Sequence, residues 1–385
     1  MFDDESLPAI REAIRKQTLS DRQLLEGLRA EVRPLTAAAR AIRPRSTTAV
    51  SLVASDGGNN KLEFDPFYVQ LVRVVDSYGK ELFLDVISPT TDTDALSDRQ
   101  FDADGDPATP LGFLMRDLGI DRLYDLSTMI PTGKKTREQP ERVKPGWVLT
   151  YRDLCEWAVL YERICYTSFA TDTLIVRDGF LRSKEFSRDL FMRMGELIRS
   201  AIERIQRDDR RRVFLVGIAK HSQVMTRYRL AMAIEGTIAP GEPRYLAIPR
   251  DMEAKAYRWS EYARGQEESG SDGEAAKFVL GDMYFVRFGS MAGDPVWAVD
   301  LLHWQVGMAA EVFGYLLADA TDGFPVPYYP RCLQRAHEHA QVVDFDLDIL
   351  QDQVFAAVRE LLPVSKQPVI DAVRLGTDLA ARRYG

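Results

Sequence analysis

The sequence is poor in cysteine and histidine and has no long apolar run. Its 385 residues include only Cys155, Cys165 and Cys332, and four histidines. Three cysteines without a Cys-x-x-Cys pair argue against a disulfide framework and a zinc finger, and are typical of a reducing compartment. No stretch approaches the roughly 18 apolar residues of a membrane span, and the start lacks the basic and apolar regions of a signal peptide. We therefore expect a cytoplasmic protein without a membrane partner.

An excess of positive charge is also absent. The chain has 50 Lys+Arg and 58 Asp+Glu, a net charge of −8, with 45% hydrophobic residues. This composition is that of a soluble globular protein, and it excludes a protein that coats nucleic acid by bulk charge. The acidic residues concentrate in 91–106 and 267–274, whereas 177–212 contain eleven basic and seven acidic residues. A local basic channel for DNA is therefore compatible with the composition.

Two kinds of pattern divide the first part of the chain. Residues 5–42 are charged and carry leucines at helical spacing, which predicts an N-terminal helical arm over 1–45. From Thr47 the chain changes to β-branched and apolar runs, which predict three consecutive strands. The second and third of these strands are joined by the turn at 77–79. A domain that extends over 46–345 is expected to begin here.

The order of the following elements predicts the fold class. They are a helix, a strand, a long helix and a strand at 151–170, 173–181, 184–207 and 211–222. Three antiparallel strands followed by this order are typical of an α/β, ribonuclease H-like (Piwi-like) mixed sheet flanked by helices, in which the first and fourth strands are neighbours. We predict that core over 47–225, a β-rich extension over 240–310, and C-terminal helices over 346–385.

Two segments between the predicted elements are rich in charge. Residues 91–110 predict an acidic, turn-rich insertion, in which 102–106 resembles a calcium loop but lacks the later bidentate Glu, so that a solvated turn is favoured. Residues 131–146, with five basic and two acidic side chains that include Lys134 and Lys135, predict a flexible basic loop. Contact with phosphates and simple solvation are equally compatible with that loop.

Two Asp-Gly pairs stand at the ends of predicted strands. Asp56 follows the first strand and Asp178 lies in the fourth. One such pair is more often only a turn, but the neighbouring strands would bring these two carboxylates together. Like charges at close range favour a divalent cation between them. Two metal ions about 3.5–4 Å apart would activate water and stabilise the leaving oxygen of a phosphodiester.

Further candidates lie on neighbouring elements. Glu156 and Glu162 both flank the apolar face of the helix before the fourth strand, and geometry alone does not choose between them. Lys220 ends the fifth strand, where a cation would contact a substrate phosphate or position water, unless it only reaches solvent. His337 shares a helix face with apolar residues, which more often indicates a hydrogen-bonded structural histidine than a proton-transfer group.

Five segments, taken in this order, resemble the NurA nuclease family: ASDGG, RDLCEWA, LIVRDGFLR, VFLVGIAKHS and PRCLQRAHEHA. The resemblance covers roughly 47–345. It implies a ribonuclease H-like core that binds manganese and degrades DNA as a 5′-to-3′ exonuclease and single-strand endonuclease. It also implies a homodimer docked on the hexameric DNA-translocating ATPase HerA, in DNA end resection or antiphage defence.

The resemblance assigns roles to single residues. It makes Asp56, Glu156 and Asp178 ligands of Mn²⁺ or Mg²⁺, with Glu162 as the substitute for Glu156. Lys220 and His337 would steady the developing charge. Candidate DNA contacts are Arg177, Arg182, Lys184, Lys134 and Lys135.

The chain departs from the family pattern at several points. Gly58 and Phe180 stand where a serine usually follows Asp-Gly, and the segments 91–146 and 265–274 have no counterpart. A second hypothesis is therefore an inactive ribonuclease H-like adaptor on a DNA translocase, although retention of both aspartates and of Lys220 argues against it. A phosphatase with an Asp nucleophile lacks the Asp-x-Asp pair that it would need.

Overall fold

A ten-stranded mixed sheet runs through the computed structural model, which describes residues 6–45, 50–54, 61–64, 67–257, 278–340 and 344–369. The strands follow the spatial order β1-β8-β9-β10-β7-β6-β2-β4-β3, with β5 paired to β4. Their bounds are β1 (Arg40–Ala41), β2 (Val50–Ala54), β3 (Lys61–Phe64), β4 (Phe67–Asp76), β5 (Glu81–Ile87), β6 (Thr173–Asp178), β7 (Val213–Ala219), β8 (Arg244–Ala247), β9 (Gly281–Arg287) and β10 (Val296–Leu302).

Helices cover both faces of this sheet. Their bounds are α1 (Ser6–Ser20), α2 (Arg22–Val32), α3 (Thr93–Asp98), α4 (Pro110–Leu118), α5 (Leu123–Leu126), α6 (Gly133–Glu138), α7 (Trp147–Tyr166), α8 (Leu190–Asp208), α9 (Gln223–Glu235), α10 (Arg250–Ala256), α11 (Ala309–Thr321), α12 (Arg331–Ala340) and α13 (Asp344–Glu360). In the described ranges none of them has the length and apolar character needed to cross a bilayer.

The predicted ribonuclease H-like core is confirmed in its strand order, β5-β4-β2-β6-β7. β4 is antiparallel to β2 and β5, whereas β6 lies between β2 and β7 and is parallel to both. The first and fourth predicted strands are thus neighbours, with Val53 opposite Arg177. The turn between β4 and β5 contains Gly79 at φ 79°, a conformation that favours glycine. The three-strand prediction missed β3, a fourth strand that pairs with β4.

The strands predicted in the second half extend the same sheet. β10 lies antiparallel to β7, and β9, β8 and β1 follow it outward. One face of the sheet packs against α7 and α8, with α9 further along, and the opposite face packs against α11 and α12. Residues 264–277, predicted as a polar linker, and the final residues of the predicted C-terminal helices, 370–385, lie outside the described residues.

The sequence prediction missed several helices, of which α9 and α11 are the longest. α9 has clear local signals, because the Ser222 hydroxyl accepts a hydrogen bond from Met225 N at 3.2 Å and Gly236 ends the helix at φ 60°. α11 buries most of its sides, so its apolar run has little helical periodicity. The predicted N-terminal arm is confirmed as α1 and α2, and hydrogen bonds from Arg33 and Arg29 lower the pKa of Glu235 on α9 to about 2.

Both charge-rich segments contain helices. Residues 91–110 include α3, and Thr109 caps α4 by accepting a hydrogen bond from Gly112 N at 3.0 Å. Residues 102–106 form the turn that the sequence analysis favoured over a calcium loop. In this turn the Asp102 carboxylate accepts hydrogen bonds from the backbone N–H groups of Asp104 and Asp106. The prediction of a flexible loop over 131–146 is wrong, because Thr132 caps α6 there.

Close backbone approach at Gly217 sets the position of the chain after β6. A Cβ atom on Gly217 would lie 2.4 Å from the carbonyl oxygen of Gly179 and 2.9 Å from Leu181 N. Gly179 itself adopts φ 115°, which lets the chain turn sharply out of β6. The glycine on β7 therefore makes room for the loop that follows Asp178.

We expect Gly217→Ala to lower the free energy of unfolding by about 1–3 kcal/mol, because the new methyl group meets backbone atoms that have little room to move. Gly146→Ala is the matched control, since a Cβ there meets nothing within 4 Å. Urea denaturation measures both. Equal stability of the two variants would contradict the close packing of the 179–181 loop on β7.

Candidate active site

The candidate site lies at the edge where three parallel strands end. β6 ends at Asp178, and Lys220 directly follows β7. β2 ends at Ala54, two residues before Asp56, and runs parallel to β6. Asp56 itself lies outside the described residues, so its part in the site stays a prediction. Carboxyl ends of neighbouring parallel strands are a common position for ligand and catalytic groups.

Asp178 contacts a cation and a phenol. Its Oδ2 accepts a hydrogen bond from Lys220 Nζ at 2.8 Å, and its Oδ1 accepts one from the Tyr329 hydroxyl at 3.2 Å. Burial, together with the negative charge of Asp178, raises the pKa of Tyr329. The phenol therefore stays protonated, and its O–H group donates a hydrogen bond to the carboxylate. This bond fixes the orientation of Asp178.

Tyr329 is a site residue that the sequence analysis missed. Its position depends on Gln334, whose amide donates hydrogen bonds to the carbonyl oxygens of Tyr329 at 2.9 Å and Val326 at 3.1 Å. The Trp297 ring lies 4.8 Å from the Tyr329 ring, and its Nε1 donates to the Tyr328 carbonyl at 2.6 Å. No local pattern marks this tyrosine, because its partner is 151 positions away in the chain.

Glu156 lies on α7 close to the same strand end. Arg152 Nε is 3.5 Å from its Oε1, and Arg177 Nη2 is 3.4 Å from its Oε2. Burial raises the pKa of Glu156, and the negative charges of Asp153 and Asp178 raise it further, whereas Arg177 and Arg152 lower it. The net result is a pKa of about 8. The pKa of Glu162 is raised by burial and lowered by Arg163 and Lys80, with no contribution from Asp178. Glu156 is therefore within electrostatic reach of Asp178, and its role as the third carboxylate stays a prediction.

The Arg177 side chain is buried and makes its contacts within the protein. Its side chain is only 9% exposed, and its guanidinium donates to Asp153 Oδ1 at 2.8 Å and to the Phe180 carbonyl at 2.9 Å. The same group lies 4.4 Å from the Trp157 ring, a cation–π contact. Arg177 therefore holds the 178–180 turn against α7, which the prediction of a DNA contact did not anticipate.

The prediction that Arg182 contacts DNA is wrong. Its side chain is buried, and Nε and Nη2 donate to the two carboxylate oxygens of Asp300 at 2.7 and 2.8 Å. Nη1 donates to Glu253, which is also buried. Burial lowers the pKa of Arg182, but the charges and hydrogen bonds of Asp300 and Glu253 raise it by more, so the guanidinium keeps its charge. The sequence could not show that β10 brings Asp300 to this position.

The remaining candidates occupy different surfaces. Lys184 is exposed on the loop after β6, whereas Lys134 and Lys135 are exposed on α6. His337 is half-buried on α12, a helix that packs against β2 and β4. DNA contact by the three lysines and a catalytic role for His337 stay predictions.

The described carboxylates suit a divalent cation in their chemistry. Oxygen ligands are those that Mn²⁺ and Mg²⁺ prefer, and a cation near Glu156 would offset the burial that raises its pKa. Within the described ranges, which omit Asp56, no three Asp, Glu, His or Cys side chains form a group that could hold a metal. Asp56, the remaining carboxylate of the predicted set, lies outside those ranges.

The raised pKa of Glu156 predicts a pH-dependent stability without divalent ions. Between the ordinary pKa of 4.5 and the folded value of about 8, the unfolded chain releases this proton while the folded protein keeps it. Wild-type stability should therefore fall through this window, and Glu156→Gln should gain thermal stability relative to wild type from pH 5 to pH 9. The exposed Glu203→Gln is the control, and a difference that does not change with pH would contradict the assignment.

The environment of Arg182 predicts a loss of stability on substitution. Arg182→Ala leaves Asp300 and Glu253 buried without their cation, which costs about 3–5 kcal/mol of unfolding free energy. Arg199→Ala, which removes an exposed pair with Glu203, should change it by less than about 0.5 kcal/mol. Weaker DNA binding by Arg182→Ala at unchanged stability would restore the predicted DNA contact.

Comparison with known proteins finds similarity to a solved nuclease structure. No family model and no curated protein matches this chain. Among solved structures, the crystal structure of the NurA nuclease from Sulfolobus solfataricus is similar, with 11% sequence identity and a TM-score of 0.43. The match covers 92% of this chain and 98% of that chain.

Proposed function

We propose that this protein is a metal-dependent deoxyribonuclease of the NurA type. The observation that carries the proposal is the set of contacts of Asp178, which lies at the end of β6 between Lys220 Nζ and the Tyr329 hydroxyl. Glu156 lies close enough for the Asp178 charge to raise its pKa. β2 ends at Ala54 on the same edge, two residues before Asp56 in the sequence.

The chain supplies groups for hydrolysis of a phosphodiester. Asp56, Glu156 and Asp178 would hold one or two Mn²⁺ or Mg²⁺ ions, which when bound activate water and stabilise a leaving oxygen. The Tyr329 hydroxyl orients Asp178. The Lys220 side chain is 40% exposed, so its ammonium can reach a substrate phosphate while it contacts the same carboxylate. His337 would add a phosphate contact or a proton-transfer group.

The finer parts of the proposal rest on the resemblance of the five sequence segments to the NurA family. These finer parts are 5′-to-3′ exonuclease and single-strand endonuclease activity, a homodimer, and docking on a HerA-type hexameric ATPase in end resection or antiphage defence. The exposed cations Lys184, Lys134 and Lys135 support a polyanionic substrate such as DNA.

One observation favours the alternative of an inactive adaptor on a DNA translocase. The Lys220 ammonium already neutralises Asp178 at 2.8 Å, so the carboxylate has a cation without any metal. Calorimetric titration with Mn²⁺ separates the two functions, because an adaptor should show no binding and the nuclease should bind the ion through Asp178.

We expect Asp178→Asn to abolish degradation of DNA and Tyr329→Phe to reduce it by about 10–100-fold, because the phenol orients a metal ligand. Asp208→Asn, an exposed acid at the end of α8, is the control. The assay uses end-labelled linear, circular and single-stranded DNA with Mn²⁺ or Mg²⁺, with and without a HerA-type ATPase. Full activity of Asp178→Asn, with unchanged thermal unfolding, would contradict the site.

A further inference from the structure

A cavity of about 610 Å³ opens beside the candidate active site, between the start of α7 and the loop after β6. This volume falls in the range of about 300–1,000 Å³ that is typical of small-ligand sites. Its lining includes Phe180, two residues after Asp178, and His221, next to Lys220. Two further lining residues, Arg152 and Arg177, form ion pairs with Glu156 at 3.5 and 3.4 Å, which connects the cavity to the candidate catalytic groups.

The lining contains four cations, of which Arg152, Arg177 and Arg182 each pair with a described carboxylate and Lys184 does not. Asp153 accepts hydrogen bonds from Arg177 at 2.8 Å and from the Ser183 hydroxyl at 3.0 Å, so its carboxylate is occupied. Glu185 accepts a bond from the Thr150 hydroxyl at 2.8 Å. Lys184 is exposed and has no hydrogen bond or ion pair to any residue that the structure describes. The rim of the cavity thus offers a charge that an anion can neutralise.

The apolar part of the lining is suited to an aromatic ring. Phe180 is half-buried, and the Arg182 guanidinium lies over its ring at 5.4 Å from the centroid, a cation–π contact. Met129 and Leu149, which line the same cavity, are 45% and 51% exposed, so the lining includes accessible apolar surface. An aromatic platform with an apolar rim and a nearby cation is the arrangement that binds bases of single-stranded nucleic acid.

We propose that this cavity binds an unpaired nucleotide next to the scissile phosphate, with its base on Phe180 and its phosphate at Lys184. The inference rests on the proposed nuclease function for its relation to the cleaved bond, but nucleotide binding can be measured without it. A base inside the cavity cannot be paired, so the enzyme would act on single-stranded DNA or on frayed ends. Phe180, where the family usually has a serine, would then be a residue for substrate recognition.

The test uses isothermal titration of the full-length protein, without divalent ions, with thymidine 5′-monophosphate, thymidine and inorganic phosphate. Wild type should bind the monophosphate more tightly than either of the other two. Phe180→Leu, which keeps an apolar side chain, should weaken binding of the monophosphate and of thymidine by about 10-fold, and Phe180→Tyr should retain it. Lys184→Ala should weaken the monophosphate and phosphate but not thymidine, and the exposed Lys80→Ala should change none.

Three results would overturn the proposal: no binding of the monophosphate to wild type, equal affinity in Phe180→Leu, or phosphate binding as tightly as the monophosphate. Thermal unfolding of each variant shows whether the fold survives. The outcome is independent of the nuclease assay. Active enzyme without nucleotide binding would contradict only the cavity, whereas nucleotide binding with Asp178→Asn fully active would contradict only the catalytic site.

Discussion

The ion pair between Arg182 and Asp300 is the contact on which the rest of the site depends. Both side chains are buried, and the guanidinium is bound by both oxygens of one carboxylate. Asp300 also accepts a hydrogen bond from Leu181 N at 3.1 Å. A buried charge without its partner is strongly destabilising, so the loop after β6 has little freedom to leave β10. The ribonuclease H-like core and the β-rich extension are joined at this point.

That constraint explains how a candidate catalytic carboxylate can be positioned without a metal. Arg177 holds the loop to α7, and the absence of a side chain at Gly217 lets the loop lie directly against β7. Asp178 therefore has a rigid support on the side away from solvent. Tyr329 and Lys220 then orient its two oxygens. Glu156 remains a buried acid with a raised pKa, which is the kind of perturbation that candidate active sites often show.

Sequence reasoning was most successful where local pattern and strand order suffice. The apolar runs and the turn in 67–87 predicted β4 and β5, and the order of elements predicted that β2 and β6 are neighbours. It failed for helices whose signals are capping residues rather than periodicity, such as α4, α6 and α9. It also failed for Arg182, because a charged residue in a basic stretch has the same local pattern whether it is buried or exposed.

The sequence by itself determined the order of strands and helices in the core and the acids that could act at its edge, since these depend on periodicity and on residue type. Only the tertiary structure placed Glu156 within reach of the Asp178 charge, enclosed Arg182 in the interior, and brought Tyr329 to Asp178. Those outcomes depend on contacts between groups that are far apart in the chain, such as Arg182 and Asp300. Such contacts follow from which strands pair and which faces they cover, and no local pattern contains that information.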